Sequence, residues 1–354
     1  MSFFREFSDV ESREEIPQIV SDLEKVLDIE TEMIKQYKNS NIFELYHSEN
    51  PQAYKLIHSE TEERLRDINL DSNLLQQYID ARENKEMDIV AIIRGMYSAA
   101  LLEIITTKKP HTQTIIDGNN RNRTWNFLFS HVKHAKNVAV KNIKGNYILS
   151  FAGSYGGNVE GISCENIRGS YTLSHAGSDS GKIEYLLLSN IKGHKTLEGA
   201  SMHKGNLQKT VLHNIKGDFT FSGSRMLSGN IQDITLHDIE GDYTLTAMGD
   251  EYKIKNVVLT KIKGDDTFSS IDCACKVNCT AFNHIIGEGT LKDTGFSFNR
   301  SILLEHQLNE PQKKIILEIE KIAESMHTLS LAEQKTAHDE ITELQTEIFS
   351  EVKK

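Results

Sequence analysis

Apolar and polar positions repeat with a fixed period through the middle of this chain. The tetrapeptide Asn142-Ile143-Lys144-Gly145 returns six times in related form, and the glycines lie 24, 24, 24, 24, 23 and 23 residues apart. The fourth residue after the glycine is apolar in every repeat: Leu149, Leu173, Leu197, Phe221, Leu245, Phe268 and Leu291. A constant period of this length is typical of a stacked repeat architecture, in which such a column points into the core.

The residues after the glycine alternate with the two-residue period of a β-strand. Two residues after it the chain carries aromatic side chains in four repeats, which this period places on the inward face; they are Tyr147, Tyr171, Phe219 and Tyr243. A threonine row lies between the two inward columns and is predicted to point outward: Thr172, Thr196, Thr220, Thr244, Thr267 and Thr290. Apolar columns upstream of the glycine complete about three short strands per repeat.

One such repeat cannot close a core, but stacking at the ~4.8 Å strand spacing buries a continuous one. We therefore predict a mainly β fold with flanking helices, in which residues 111–300 form a single-stranded parallel β-helix, or β-solenoid, of about seven 23–24-residue coils. Three residues before the glycine the chain carries Asn142, Asn166, Asn190 and Asn214, followed by Asp238, which predicts an asparagine ladder. A second row, Gly157, Gly181, Gly205 and Gly229, predicts a tight corner with positive φ.

These features resemble the right-handed parallel β-helix architecture of pectate lyases and related proteins. The resemblance covers about half of the chain and implies the fold alone. It implies no lyase activity, because the acidic calcium ligands and the catalytic arginine of the lyases have no obvious counterpart in this sequence.

Helical periodicity flanks the repeats on both sides. Residues 1–110 are predicted to form an N-terminal helical domain that ends near Pro110. Residues 301–354 are predicted to form a C-terminal helical hairpin, whose second helix begins at a capping box of Ser330 and Glu333. Trp125, Phe127 and Phe129 precede the first regular repeat and are predicted to cover the open end of the solenoid.

Charge and composition narrow the class of protein. The 354 residues carry a formal net charge of −11, which opposes broad attraction to nucleic acid or to an anionic membrane, although a local basic patch is compatible with it. No apolar run approaches the ~18 residues needed to span a bilayer. With only 4 cysteines a disulfide framework is not indicated, and we expect a cytoplasmic location without membrane or nucleic-acid partners.

A cysteine cluster is the sharpest candidate for chemistry. Cys273, Cys275 and Cys279 fall within seven residues and are followed by His284. Thiolate and imidazole ligands suit zinc or an iron–sulfur centre. The C-x-C-x3-C spacing is not one of the strong metal-binding spacings, so ordinary reduced thiols are the alternative. The fourth cysteine, Cys164, lies in an inward column and is predicted to be part of the core.

Three outward columns offer weaker candidates. Acidic residues follow the glycine in successive repeats and could gather Ca²⁺ or a cationic partner, unless the neighbouring lysines simply compensate them; the acids are Asp218, Asp242, Asp265 and Glu288. His213 and His237 share one column, which is a weak metal signal. The threonine row with its adjacent serines could bind glycans or could only stabilise the sheet.

A further outward column is apolar and includes Leu187, Val211 and Val258. An outward apolar row must be covered, either by the terminal helices of the same chain or by another chain. We expect intramolecular cover, and otherwise a protein partner or self-association through this column or through the terminal helices.

No linear catalytic motif occurs in the sequence. The first functional hypothesis is a non-catalytic scaffold that presents a rigid solenoid face and docks partners with its terminal helices. The first alternative is a carbohydrate-active or glycan-binding β-helix protein. The second is a metal or iron–sulfur scaffold, because helices followed by a β-helix and further helices resemble the layout of the β-helical assembly subunits of the sulfur-mobilisation (Suf) machinery.

Overall fold

The computed structural model describes residues 15–40, 52–109, 113–118, 123–223, 229–246, 252–267, 269, 276–277, 280–288, 302–303 and 308–350. Among these residues four helices come first: α1 (Glu15–Tyr37), α2 (Gln52–Arg64), α3 (Ser72–Ala81) and α4 (Ile89–Lys108). Eleven strands follow: β1 (Thr114–Asp117), β2 (His134–Ala135), β3 (Val138–Lys141), β4 (Asn158–Glu165), β5 (Lys182–Lys192), β6 (Gly205–Lys216), β7 (Gly229–Glu240), β8 (Tyr252–Lys263), β9 (Lys276–Val277), β10 (Thr280–Ile286) and β11 (Ile302–Leu303). Helices α5 (Glu310–Ser325) and α6 (Leu331–Ser350) come last, joined by a short 3₁₀ turn.

The strands stack in parallel into a β-solenoid of about six turns among the described residues. The order is β1-β3-β4-β5-β6-β7-β8-β10-β11, with β2 paired to β4 and β9 to β8. Leu188 pairs with Leu212 and Leu212 with Leu236, a shift of one repeat per strand. Leu173, Leu197 and Phe221 are buried in one core cluster, as the repeat predicts.

The prediction of a regular strand after the glycine that ends each Asn-Ile-Lys-Gly-type tetrapeptide is wrong. This glycine, of which Gly145 is the first, is called the corner glycine below. Every second residue there has positive φ, for example Tyr147 at 58° and Leu149 at 54°. Because a left-handed residue turns its side chain differently from an extended one, the two-residue rule fails in this stretch. Thr172 and Thr196 are fully buried, whereas Tyr243 is 40 % exposed, so the threonine and aromatic columns lie on the faces opposite to those predicted, while the leucine column stays inward.

Buried threonines have a structural partner in this stretch. The hydroxyl of each donates to the carbonyl of the glycine three residues earlier, at 3.1 Å for Thr220 and 3.3 Å for Thr267. The predicted hydroxyl-bearing outer sheet is therefore wrong for the described residues, and these hydroxyls are not a surface for glycans.

The second glycine row needs glycine because the backbone of the neighbouring turn comes too close for a Cβ, and not because these residues have positive φ. A Cβ at Gly181 would lie 1.8 Å from the carbonyl oxygen of Gly153, and one at Gly205 would lie 2.0 Å from that of Gly177. The left-handed conformations fall instead on Gly153 and Gly177, at 68° and 65°. The predicted conformation was wrong, but the need for glycine follows from the contact between turns.

Helix α4 closes the N-terminal end of the solenoid. Glu103 in α4 accepts a hydrogen bond from the His134 amide at 2.8 Å, and a Cβ at Gly95 would lie 2.3 Å from the Phe127 carbonyl oxygen. Trp125, Phe127 and Phe129 are buried at this junction, and the Trp125 indole donates to the Ile79 carbonyl at 3.2 Å. These aromatics therefore lie between the helices and the first turn.

Among the described helices, α4 alone has the length and apolar composition of a membrane span. The expectation that no apolar run approaches this length is therefore wrong. Most residues of α4 are buried inside the fold, as in the central helix of a packed core.

The C-terminal hairpin covers the outward apolar column. Leu187, Val211 and Val258 are at most 2 % exposed and share one apolar cluster with residues of α5 and α6 such as Ile316 and Ile341. Thus this column is sealed within the same chain, and it offers no surface for a partner while the hairpin is in place. The predicted capping box is confirmed: the Ser330 amide donates to Glu333 at 2.8 Å.

Candidate functional site

An asparagine ladder runs along one corner of the solenoid. Asn142, Asn166, Asn190 and Asn214 all have left-handed backbones, with φ between 51° and 56°. Asparagine tolerates this conformation better than most residues, which explains its recurrence at the corner. The Asn166 amide donates to the Asn142 side-chain oxygen at 2.9 Å, and Asn214 donates to Asn190 at 2.6 Å. The predicted ladder is present.

A row of cations lies two residues beyond the ladder. Lys144, Arg168 and Lys192 are exposed, and their backbones pair from turn to turn, so their side chains leave the solenoid one strand spacing apart. Within the described part of the chain none of the three has an acidic partner within ion-pair distance. They form a strip of uncompensated positive charge on a protein of net charge −11.

The ladder and the cations line a groove of about 630 Å³. Arg123 lies at its N-terminal end, where its guanidinium donates to the carbonyls of Asp80 and Arg82. Gly118 and Asn142 complete that end. This volume is within the usual range for a ligand site, and the lining offers amide and cationic groups.

The charge of the column changes farther along the solenoid. Lys216 and Lys263 both contact Glu240, at 3.1 and 3.5 Å. The hydrogen bond from Lys216 and the charge of both lysines lower the pKa of Glu240. Positive charge is therefore compensated at the C-terminal turns and uncompensated beside the groove.

The acidic column holds the backbone of the next turn. Asp218 accepts the Asp242 amide at 3.0 Å, Asp242 accepts that of Asp265 at 2.8 Å, and Asp265 accepts that of Glu288 at 2.8 Å. Asn146 does the same for Ser170, at 2.8 Å. These contacts give the acids a structural role that needs no Ca²⁺. Because the early members of this column, Asn146, Ser170 and His194, carry no carboxylate, they offer the groove cations no ion-pair partner.

The outward aromatic rings do not form an open platform. Tyr147 stacks on Tyr171 with centroids 4.4 Å apart, and Phe219 stacks on Tyr243 at 4.8 Å. Lys195 lies over the ring of Tyr171, 5.0 Å from its centroid. Rings stacked in this way turn their edges to solvent, so they offer little face to a sugar.

The histidine column lies under the C-terminal hairpin. His213 and His237 stack with centroids 5.3 Å apart, and His327 stacks on His213 at 6.4 Å. His237 contacts Thr260 at 2.6 Å and Glu324 at 3.0 Å. Burial, together with the neighbouring His237, lowers the pKa of His213. The column was predicted to be outward, but the hairpin converts it into an interface between α5 and the solenoid.

The three cysteines of the predicted cluster fall outside the part of the chain that the structure describes. Cys273, Cys275 and Cys279 lie outside the described residues, while His284 lies on β10 and is exposed. Zinc or iron–sulfur binding there stays a prediction; no group of three metal-ligating side chains occurs among the residues that the structure does describe. Cys164 is fully buried, as predicted, and burial raises the pKa of its thiol.

Sequence reasoning missed the basic groove, although its signal was present. The prediction treats the lysines of this column as compensation for the acids, but the residues after the glycines beside Lys144, Arg168 and Lys192 are not acidic: Asn146, Ser170 and His194. The chain matches no protein-family model, and comparisons with curated proteins and with solved structures find no significant match. The site must therefore be interpreted from its own geometry.

Proposed function

We propose that this protein is a non-catalytic scaffold that presents a rigid solenoid face to other proteins. The observation that carries the proposal is the strip of unpaired cations, Lys144, Arg168 and Lys192, on a protein that is otherwise acidic. Exposed charges carried at fixed backbone positions suit recognition of a complementary surface.

Rigidity of the face supports the same proposal. The asparagine ladder and the side-chain-to-backbone ladder on either side of the cations hold each turn to the next. A partner therefore meets a surface whose backbone entropy has largely been lost on folding, so that only the cationic side chains are ordered on binding.

The terminal helices extend the docking surface in this proposal. Leu56 on α2 and Leu317 on α5 are exposed by 54 and 51 %, on helices whose other faces pack within the fold. We assign such positions a secondary role, since isolated exposed apolar residues are common. The prediction of a cytoplasmic location accompanies this proposal.

Affinity enrichment from an extract of the source organism tests the proposal. Wild-type protein is compared with Lys144→Glu/Arg168→Glu/Lys192→Glu, after circular dichroism has shown that both are folded. We expect at least one protein to be enriched by the wild type and lost with the charge-reversed variant. Recovery of the same proteins by both, or of none by either, would contradict the proposal.

A further inference from the structure

We propose that the groove between the asparagine ladder and the cationic strip binds an acidic peptide segment in an extended conformation. This inference rests on the proposed scaffold function and names the chemistry of the partner. The strip consists of Lys144, Arg168 and Lys192, and Arg123 lies at its N-terminal end.

The positive charge of the groove predicts that its ligand is negatively charged. The three side chains of the strip lack acidic partners among the described residues, and none of the residues that follow their glycines is acidic. Lys216 and Lys263 in the same column share Glu240 instead. An anionic ligand thus gains ion pairs at the groove without displacing existing ones, whereas at the later turns it must compete with Glu240.

The lining favours a peptide over other polyanions. Single-stranded nucleic acid is held by a basic groove along its phosphates together with aromatic side chains on which its bases stack, and this groove is lined, among the described residues, by amide, cationic and aliphatic groups without an aromatic ring. Sugar rings also pack on aromatic faces, but the nearest aromatic column, including Tyr147 and Tyr171, stacks its rings against one another. A peptide needs neither type of stacking.

The asparagine wall offers what a peptide backbone requires. A side-chain amide has two donor hydrogens and an oxygen with two acceptor positions. The contacts between Asn166 and Asn142 and between Asn214 and Asn190 use one donor or one acceptor of each partner, and the Asn142 amide also donates to Asp117 at 2.8 Å. These asparagines line the groove, where their remaining donors and acceptors can bond a main chain, as in other modes of extended-peptide recognition.

The length of the peptide segment follows from the spacing of the stacked turns. The distance from Lys144 to Lys192 is two strand spacings, roughly 10 Å, which an extended chain covers in about three residues. Long lysine and arginine side chains can reach somewhat beyond this span. The ligand is therefore a short acidic run, with two or three carboxylates presented to the strip.

Fluorescence anisotropy with a labelled peptide tests the inference. The probe is Gly-Ser-Glu-Glu-Glu-Glu-Gly-Ser, and its control replaces the four glutamates by glutamine. The full-length protein is used at low and at physiological salt. We expect binding of the glutamate peptide, weaker binding at higher salt, and no binding of the glutamine peptide.

Two double variants that remove the same number of positive charges distinguish binding in the groove from general electrostatic attraction to the protein. Lys144→Gln/Lys192→Gln removes two charges from the strip, and Lys216→Gln/Lys263→Gln removes two from the same column outside it. We expect the first to weaken binding about tenfold and the second less than about twofold. Equal weakening by both, or binding of the glutamine peptide, would overturn the inference.

Competitors of similar charge test the assignment to a peptide. A uronic-acid oligosaccharide and an oligothymidylate are each added to the complex, and unlabelled peptide serves as the reference competitor. If either polyanion displaces the labelled peptide at a lower concentration than the unlabelled peptide does, the assignment to a peptide is overturned.

The scaffold proposal and the acidic-peptide inference can fail separately. If charge reversal abolishes enrichment of protein partners but the glutamate peptide does not bind, the scaffold function stands and the acidic-peptide inference fails.

Discussion

At the scale of single residues, the corner glycine sets how closely two turns can approach. In Gly145, Gly169, Gly241 and Gly264 φ lies between 151° and 158°, at the edge of the region open mainly to glycine. A Cβ at Gly169 would lie 1.9 Å from the carbonyl oxygen of Gly145, which is backbone and cannot move aside. The seven-fold recurrence of this glycine is therefore a consequence of stacking.

Gly169→Ala should destabilise the solenoid strongly, by about 3 kcal/mol or more, because both backbone strain and overlap with backbone atoms are introduced. Urea denaturation followed by circular dichroism measures the loss. Gly161→Ala in β4 is the matched control, since the nearest atom to its Cβ would be 3.5 Å away. Equal losses in the two variants would show that contact between turns does not select the glycine.

The acid column makes a second prediction at this scale. Asp242→Asn keeps the oxygen that accepts the Asp265 amide, so stability should stay within about 0.5 kcal/mol of the wild type, whereas Asp242→Ala should cost about 1–2 kcal/mol. Urea denaturation in Ca²⁺-free buffer and with added Ca²⁺ provides the measurement. A Ca²⁺-dependent gain in the wild type that Asp242→Asn abolishes would favour the cation site.

At the scale of elements, the C-terminal hairpin acts as the lateral cover of the solenoid. Its apolar face meets the column of Leu187, Val211 and Val258, while Gln345 donates to the Ile234 carbonyl and to the Thr235 hydroxyl, both at 3.0 Å. Without this cover the solenoid would expose a row of apolar side chains along several turns, which is a surface prone to association.

Ile319 and Leu317 lie two residues apart on α5, but only Ile319 is buried. Ile319→Ala should lower the free energy of unfolding by about 2–4 kcal/mol because it leaves a cavity under the hairpin. Hydrogen exchange should show faster exchange in α5 and α6 before the central strands are affected. The control Leu317→Ala should change stability by less than about 0.5 kcal/mol. A loss in Leu317→Ala as large as that in Ile319→Ala would indicate that α5 packs differently.

At the scale of the whole molecule, buried histidines couple stability to pH. Burial lowers the pKa of His131 and of His338 from 6.5 to about 3, with added repulsion from His175 and from Lys209, respectively. In both cases the folded-state pKa lies below the unfolded-state value. The unfolded chain therefore binds more protons below pH 6.5, and stability falls as the pH drops from 6.5 towards 3.

Each of these histidines should contribute a loss of about 1.4 kcal/mol per pH unit below 6.5. His338→Gln removes one contribution, so its loss of stability between pH 7 and pH 5 should be about 2 kcal/mol smaller than that of the wild type. Urea denaturation at the two pH values provides the comparison, because each protein is its own reference at pH 7. The same pH dependence in both would show that His338 is protonated at little cost in the folded state.

Prediction from sequence was most successful where one physical requirement repeats in every turn. A core position must be apolar in each coil, so the column of Leu173, Leu197 and Phe221 could be identified from the period alone. The ladder of Asn142 and Asn166 was also predictable, because a left-handed corner selects the same residue repeatedly.

The sequence by itself determined the repeat, its core columns, the ladder and the helices at either end, because these depend on local periodicity and on stacking of identical positions. Only the tertiary structure decided which side chains beyond the corner glycine face solvent, because that depends on backbone φ values with no hydrophobic signature. It also decided that the apolar column lies beneath the chain's own hairpin and that the asparagine ladder and the cations line one groove. Both outcomes depend on contacts between residues distant in sequence, which a period cannot encode.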